Sequence, residues 1–351
     1  MLLPLIHIHY EINLEVALVQ GGSDIPDIRV DQDTLASFVA TPATAATSLR
    51  DSYRGRTRFG TNVGLETRTR ALLHRLGFPQ AFVPSHADCS RLLRVIEECD
   101  VIAFLTEVLS AKDFLNENST FVIDILNTMY RVFLVAQNLP SPIDARFTAL
   151  SSAFCDSIEH SHSWFEADRA ALAGSPLNRI HLAIRKSLLP NILVLISEGH
   201  FLETPGLRRL CLLYWITNSD IDVIEHMTPV ASHVMLQYAL TGRKTLYKSV
   251  RELHHVFRSS INQYILPTYG AERYLHQMAK MLRNKGCGTD NNLDFILPII
   301  VTSIISHPAL LASAALPDVL KAMLEIAAQP LVKATHCLER RAVFEFLRLC
   351  M

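Results

Sequence analysis

At 351 residues the chain is long enough for two ordinary domains or one elongated array, and either buries a substantial core. Its 33 basic and 34 acidic residues leave a formal net charge of −1, so no global field favours nucleic acid or a membrane surface as partner. A hydrophobic share of 49% and a mean hydropathy of +0.21 require many helices covered on two faces or a membrane segment, and thirteen glycines are too few for strands joined by tight hairpins.

From Leu5 to Val19 a two-residue alternation mixes with helical spacing, and a helix is the favoured reading. Met1–Ile6 is apolar but carries Pro4 and no basic flank, so a secretory signal is not expected. Gln20–Gly64 contains Gly-Gly, Asp-Ile-Pro-Asp and the small-residue run Thr41–Ser48, and reads as loop or disorder. Seven arginines (50, 54, 56, 58, 68, 70 and 75) then stand against Asp51 and Glu66 alone. They suit either an anion- or RNA-binding arm or a solvated linker entering a short helix over Leu65–Leu76. Residues 1–84 are therefore expected to form a poorly ordered arm with one or two short helices.

After Pro84 helical spacing dominates. A helix or kinked pair is expected from Ser85 through Leu109, another over Phe121–Ala136 stopped by Asn138–Pro142, and further helices over Ile143–Ile158 and Trp164–Leu172. Around Asn178–Glu198 the residues Ile180, Ile184, Leu188, Ile192, Leu195 and Ile196 share one helical side. Leu189 and Leu193 widen that stripe until more than one neighbour must cover it, so the rest of the chain is expected to be arranged around this segment. A proline opening an apolar helical pattern recurs at 190, 229, 267, 298 and 317, in steps of 39, 38, 31 and 19 residues. The first two steps approach the length of one helical repeat, about 40 to 47 residues.

The stretch AIRKSLLPNILVLISEGH, in which a basic-apolar run leads into Leu189-Pro190 and a leucine helix, resembles the final helix of an armadillo or HEAT repeat. More loosely, the chain is similar to the helical regions that precede a MYND zinc finger in fungal proteins, although the finger itself is missing. The resemblance implies an all-α fold, a right-handed α-α superhelix with degenerate repeats over 85–351. It also implies a non-catalytic scaffold or adaptor that holds a protein or peptide on a helical surface.

The basic residues Arg208, Arg209, Arg243, Lys244, Lys248, Arg251, Arg273, Lys280, Arg283 and Lys285 are set against Asp220, Asp222, Glu225, Glu252 and Glu272, which favours an acidic or phosphorylated ligand. Trp215, in the run CLLYWI, is a candidate anchor for that partner or a core residue. The charge-free run Phe295–Leu316 is long enough for a membrane span, but Pro298 and Pro308 make two short buried helices the better reading. His160 and His162, beside Asp156 and Glu159, have metal-ligand chemistry, yet residues two apart on a helix face different ways. His7 with His9, and His254 with His255, lack further ligands. Gly286-Cys287-Gly288 reads as an ordinary turn.

No nucleophile motif, Walker loop or G-x-G-x-x-G is present, so neither an enzyme nor a cofactor is expected. Cysteines at 89, 99, 155, 211, 287, 337 and 350 include no C-x-x-C pair and are expected to be reduced thiols in a cytoplasmic or nuclear protein, where the sequon at Asn118 stays unmodified.

Overall fold

The computed structural model describes residues 31–57, 60–77, 86–111, 114–139, 145–160, 189, 192–193, 195–196, 206–217, 261–283, 301 and 303–327. Among them the fold is all-helical, with no strand. The chain divides into two compact units, Met1–Pro205 and Gly206–Met351.

Among its described residues the first unit has three helices inside the segment expected to be an arm. Helix α1 is Gln32–Ala40, α2 is Pro42–Arg54 and α3 is Val63–Leu76. Asp31 caps α1 by accepting the Thr34 N–H at 3.1 Å, and Pro42 starts α2 where a missing N–H costs nothing. The small-residue run is thus the body of a helix. Its alanines carry the highest helix propensity, and Ala45, Ala46, Leu49 and Tyr53 line one buried side. The expectation of a loop over these residues is corrected accordingly, and the division into units falls after Pro205, well past residue 84.

Between α2 and α3 the Asn62 side chain accepts the Thr57 N–H at 3.1 Å and donates to the carbonyls of Thr57 and Gly60, which holds the loop closed. Helix α3 ends at Gly77, whose φ of 70° is open to glycine and whose N–H donates to the Leu73 and His74 carbonyls. A Cβ there would also lie 3.3 Å from Arg91 Nη1, so this position is set by both backbone and space.

Helices α4 (His86–Glu98) and α5 (Val101–Leu109) are the expected kinked pair, broken at Asp100, which takes a φ of 46°. After a short 3-10 turn at Phe114–Asn116 comes α6, Ser119–Gln137, capped by Asn118, whose Oδ1 accepts the Thr120 N–H at 2.9 Å. Phe121, Val122, Ile125, Leu126, Met129, Val132, Phe133, Leu134, Val135 and Ala136 are all buried, so α6 is covered on nearly every side. It packs against α3, α4 and α5. Each large apolar side chain fully buried here contributes roughly 1.5–3 kcal/mol. Helix α7, Ala145–His160, lays Phe147, Leu150, Phe154 and Ile158 inward against α5, with Phe154 set edge-on to Phe133.

The sequence places Asn178–Glu198 at the centre. Of that stretch, Leu189, Ile192, Leu193, Leu195 and Ile196 are described, and all are helical and buried, as the stripe requires.

In the second unit α8 is Leu207–Thr217, and a π-helical turn at Ile261–Ile265 leads into α9, Leu266–Arg283. Gly270, at φ 78°, interrupts α9. After the short α10 (Pro308–Leu311), α11 spans Leu316–Ala327. Helices α9 and α11 pack through Leu275, Met278, Leu282, Val319, Ala322 and Met323, all buried. The chain turns at His307 and again near Ser313, so no single helix runs through 301–316. No helix among the described residues is long and apolar enough to cross a membrane.

Candidate functional site

From Leu210 to Ile216 every residue of α8 is buried: Leu210, Cys211, Leu212, Leu213, Tyr214, Trp215 and Ile216. Trp215 stands edge-on to Tyr274 of α9 with ring centroids 5.9 Å apart, and its carbonyl accepts the Gln277 Nε2–H at 2.8 Å. With 0% of its surface exposed, Trp215 anchors α8 to α9 and takes the core position, one of the two readings that its run of apolar neighbours offers. The apolar pattern already allowed this, since six buried neighbours leave no outward side for the indole.

Arg209 is exposed at the entry of α8, its guanidinium 4.7 Å from the centre of the Tyr264 ring. On α9, exposed Arg273 lies 4.9 Å above the Tyr269 ring, and Lys280 is also exposed. Two arginines are therefore backed by tyrosines in the same way, which favours an extended, oriented guanidinium fork. The side chain of Arg208, and Arg243, Lys244, Lys248 and Arg251 altogether, lie outside the described residues.

Arg283 departs from the expected basic edge. Asp318 and Glu325 of α11 bind it, and these contacts raise its pKa while lowering that of Asp318. His276 lies 3.7 Å from both Glu272 and Asp318. Counting charge only between residues 208 and 285 missed these acids, because α11 arrives from later in the chain.

The arginine-rich segment of the first unit is engaged internally. Arg50 pairs with Asp100, Arg54 with Glu107 at 2.7 Å, Arg56 with Glu117 at 2.6 Å, Arg70 with Asp124 at 3.3 Å and Arg75 with Glu98 at 3.9 Å. Arg68 donates to Ser48 Oγ and the Gly64 carbonyl. Every arginine in these five pairs belongs to the α2–α3 region, and every acid to residues 98–124. The excess of positive charge that suggested an RNA arm is thus matched across the helix packing.

Arg56 has the tightest setting. Its guanidinium binds both Glu117 oxygens, donates from Nη1 to the Tyr53 carbonyl at 2.7 Å, and lies 3.6 Å from the centre of the Tyr53 ring. Tyr53 in turn stacks on Phe121, meets Phe104 edge-on and donates to the Val108 carbonyl. Two further arginines bind the end of α3: Arg131 donates to the Leu73 carbonyl, which also accepts the Gly77 N–H, and Arg91 donates to the Leu76 carbonyl.

At the α3–α6 contact Glu66, Asp124 and Arg131 are all buried. Burial pushes the Asp124 carboxyl up to about 6, with Arg70 and Arg131 opposing and Glu66 adding to the rise. Burial likewise pulls Arg131 down to about 10, against the attraction of Asp124. Glu66 Oε1 is buried without a hydrogen-bond partner among the described residues.

No group of three metal-ligating side chains occurs among the described residues. His160 ends α7 with Nδ1 2.6 Å from the Asp156 carbonyl, and His162, His7, His9, His254 and His255 lie outside them. Cys89, Cys99, Cys155 and Cys211 are buried and form no disulfide among the described residues. Burial raises Cys99 to about 11 and Cys211 to about 12, the opposite of an activated nucleophile. Compared with known proteins, the chain matches no family model, no curated sequence and no solved structure.

Proposed function

We propose that the chain is a non-catalytic binding scaffold of armadillo- or HEAT-like character, and that a basic edge of its second unit takes an acidic or phosphorylated protein segment. The observation that carries the reading is the pair of exposed, tyrosine-backed arginines, Arg209 over Tyr264 and Arg273 over Tyr269. An arginine held along an aromatic ring loses less freedom on binding, and its planar fork matches a carboxylate or phosphate. Arg208, Arg243, Lys244, Lys248 and Arg251 extend the same charge in sequence and belong to the proposed surface. Helix-on-helix packing, with α3 meeting α6 and α5 meeting α7, supports the array reading.

The test is fluorescence anisotropy with the full chain and three labelled probes: an oligo-glutamate peptide, a phosphoserine peptide and an RNA oligomer of equal length. The expected result is saturable binding of an acidic peptide that weakens with salt and is lost in R209E/R273E and in K244E/K248E/R251E. Absence of saturable peptide binding, or binding indifferent to both sets of reversals, overturns the proposal. Preferential binding of the RNA, weakened by neither set, turns the reading toward nucleic acid.

A further inference from the structure

The contact between α3 and α6 joins groups whose charges are unevenly compensated. Asp124 on α6 is 4% exposed and Glu66, across from it on α3, is 3% exposed. The nearest cation, Arg70 Nη2, stands 3.3 Å from Asp124 Oδ2, but the arginine side chain is 26% exposed, so water screens part of its charge. Arg131, buried on α6, spends a guanidinium N–H on the Leu73 carbonyl. Arg91, from α4, is committed to the Leu76 carbonyl and repels Arg131. Glu107 of α5 and Glu117, which follows the short 3-10 turn, are bound to Arg54 and Arg56. Among the described residues, two carboxyl groups are thus removed from water with one direct cation contact between them, at Asp124. A buried carboxylate whose desolvation is incompletely repaid gains by taking a proton.

We infer that the α3–α6 seam is a proton-operated clasp: mild acidification places a proton on Asp124 while the molecule remains folded, and the seam tightens as it does so. Burial and the Glu66 charge both favour the protonated state of Asp124, and Arg70 and Arg131 limit it. With Asp124 near 6 in the closed seam and near its ordinary 3.8 when the seam opens, the opening equilibrium falls about tenfold between pH 8 and pH 5. The inference is independent of the binding role proposed above.

Hydrogen exchange of the full chain, read by mass spectrometry at pH 8, 7, 6 and 5 and corrected for intrinsic rates, tests it directly. Amides of α3 and α6 are expected to exchange about tenfold more slowly at pH 5 than at pH 8, with the change centred near pH 6. In Asp124→Asn the pH step disappears. Glu66→Gln keeps the acid at position 124 but removes the neighbouring charge, so its step is smaller and centred at lower pH. Should D124N not fold, E66Q alone decides the matter. A flat profile in the wild type, protection that falls toward pH 5, or an unchanged step in the variants overturns the inference.

Discussion

Removing Arg56 is the most informative single perturbation of the first unit. Its side chain is 10% exposed and that of Glu117 6%, and three of its contacts reach Glu117: Nη2 to Oε1 at 2.6 Å, Nε to Oε2 at 3.0 Å and Nε to Oε1 at 3.2 Å. The same guanidinium covers the Tyr53 ring and fastens the end of α2 through the Tyr53 carbonyl. Arg56→Ala leaves a carboxylate in a place that water hardly reaches, and breaking a buried pair in this way costs about 3–5 kcal/mol. In a unit of this size each kcal/mol lowers Tm by about 2–4 °C, so the expected fall is roughly 6–20 °C. The double variant R56A/E117A no longer strands a charge and is expected to be more stable than the sum of its single variants requires. Urea unfolding followed by circular dichroism, completed as a double-mutant cycle, gives the coupling directly. A cost below about 1 kcal/mol for R56A, or strict additivity in the cycle, would refute the reasoning.

Three more outcomes follow from particular residues. Trp215→Ala empties the largest buried side chain of the second unit, and a loss of about 3–5 kcal/mol is expected in urea unfolding, whereas an exposed partner anchor would lose binding with stability intact. Because burial holds Cys99 near 11 and Cys211 near 12, neither thiol is expected to react with iodoacetamide at pH 8 until the chain unfolds. Labelling of either thiol in the folded protein would contradict that. For Asp124 the folded-state value lies above the ordinary 3.8, so its contribution to stability is fully present below pH 3.8 and is lost as pH rises through about 6. That loss amounts to about 3 kcal/mol, and Asp124→Asn should flatten the corresponding part of a urea-midpoint-versus-pH curve.

Among the described residues, periodicity located the helices where large apolar residues carry it, while the helices expected over Leu5–Val19 and Trp164–Leu172 lie outside those residues. The kinked pair after Ser85, the long helix through Phe121–Ala136 and the helix over Ile143–Ile158 occur close to their expected bounds, as α4 with α5, α6 and α7. The pattern failed over Thr41–Ser48, where small side chains carry little hydrophobic signal. Ala45 and Ala46 are buried there on the same side as Leu49 and Tyr53, and Pro42 marks the helix start. Charge proved the least legible property. Arg50–Arg75 is locally basic in sequence, yet its acids arrive from residues 98–124, and those for Arg283 from 318–325. A local sum cannot register partners that only folding brings near. Trp215 stood between two readings for a related reason: an aromatic cluster at a helix end has the same composition whether it faces a partner or a neighbouring helix.

Limited trypsin digestion of the native full chain tests most directly whether the arginine-rich segment belongs to the packed helical body. Trypsin requires an extended backbone at its cutting site, so α2 and α3 must unfold locally before they are cut. Cleavage after Arg50, Arg54, Arg70 and Arg75 is expected to be no faster than after Arg131, buried in the same unit. Rapid cutting at those four positions, with Arg131 still protected, would contradict the account and restore a free basic arm.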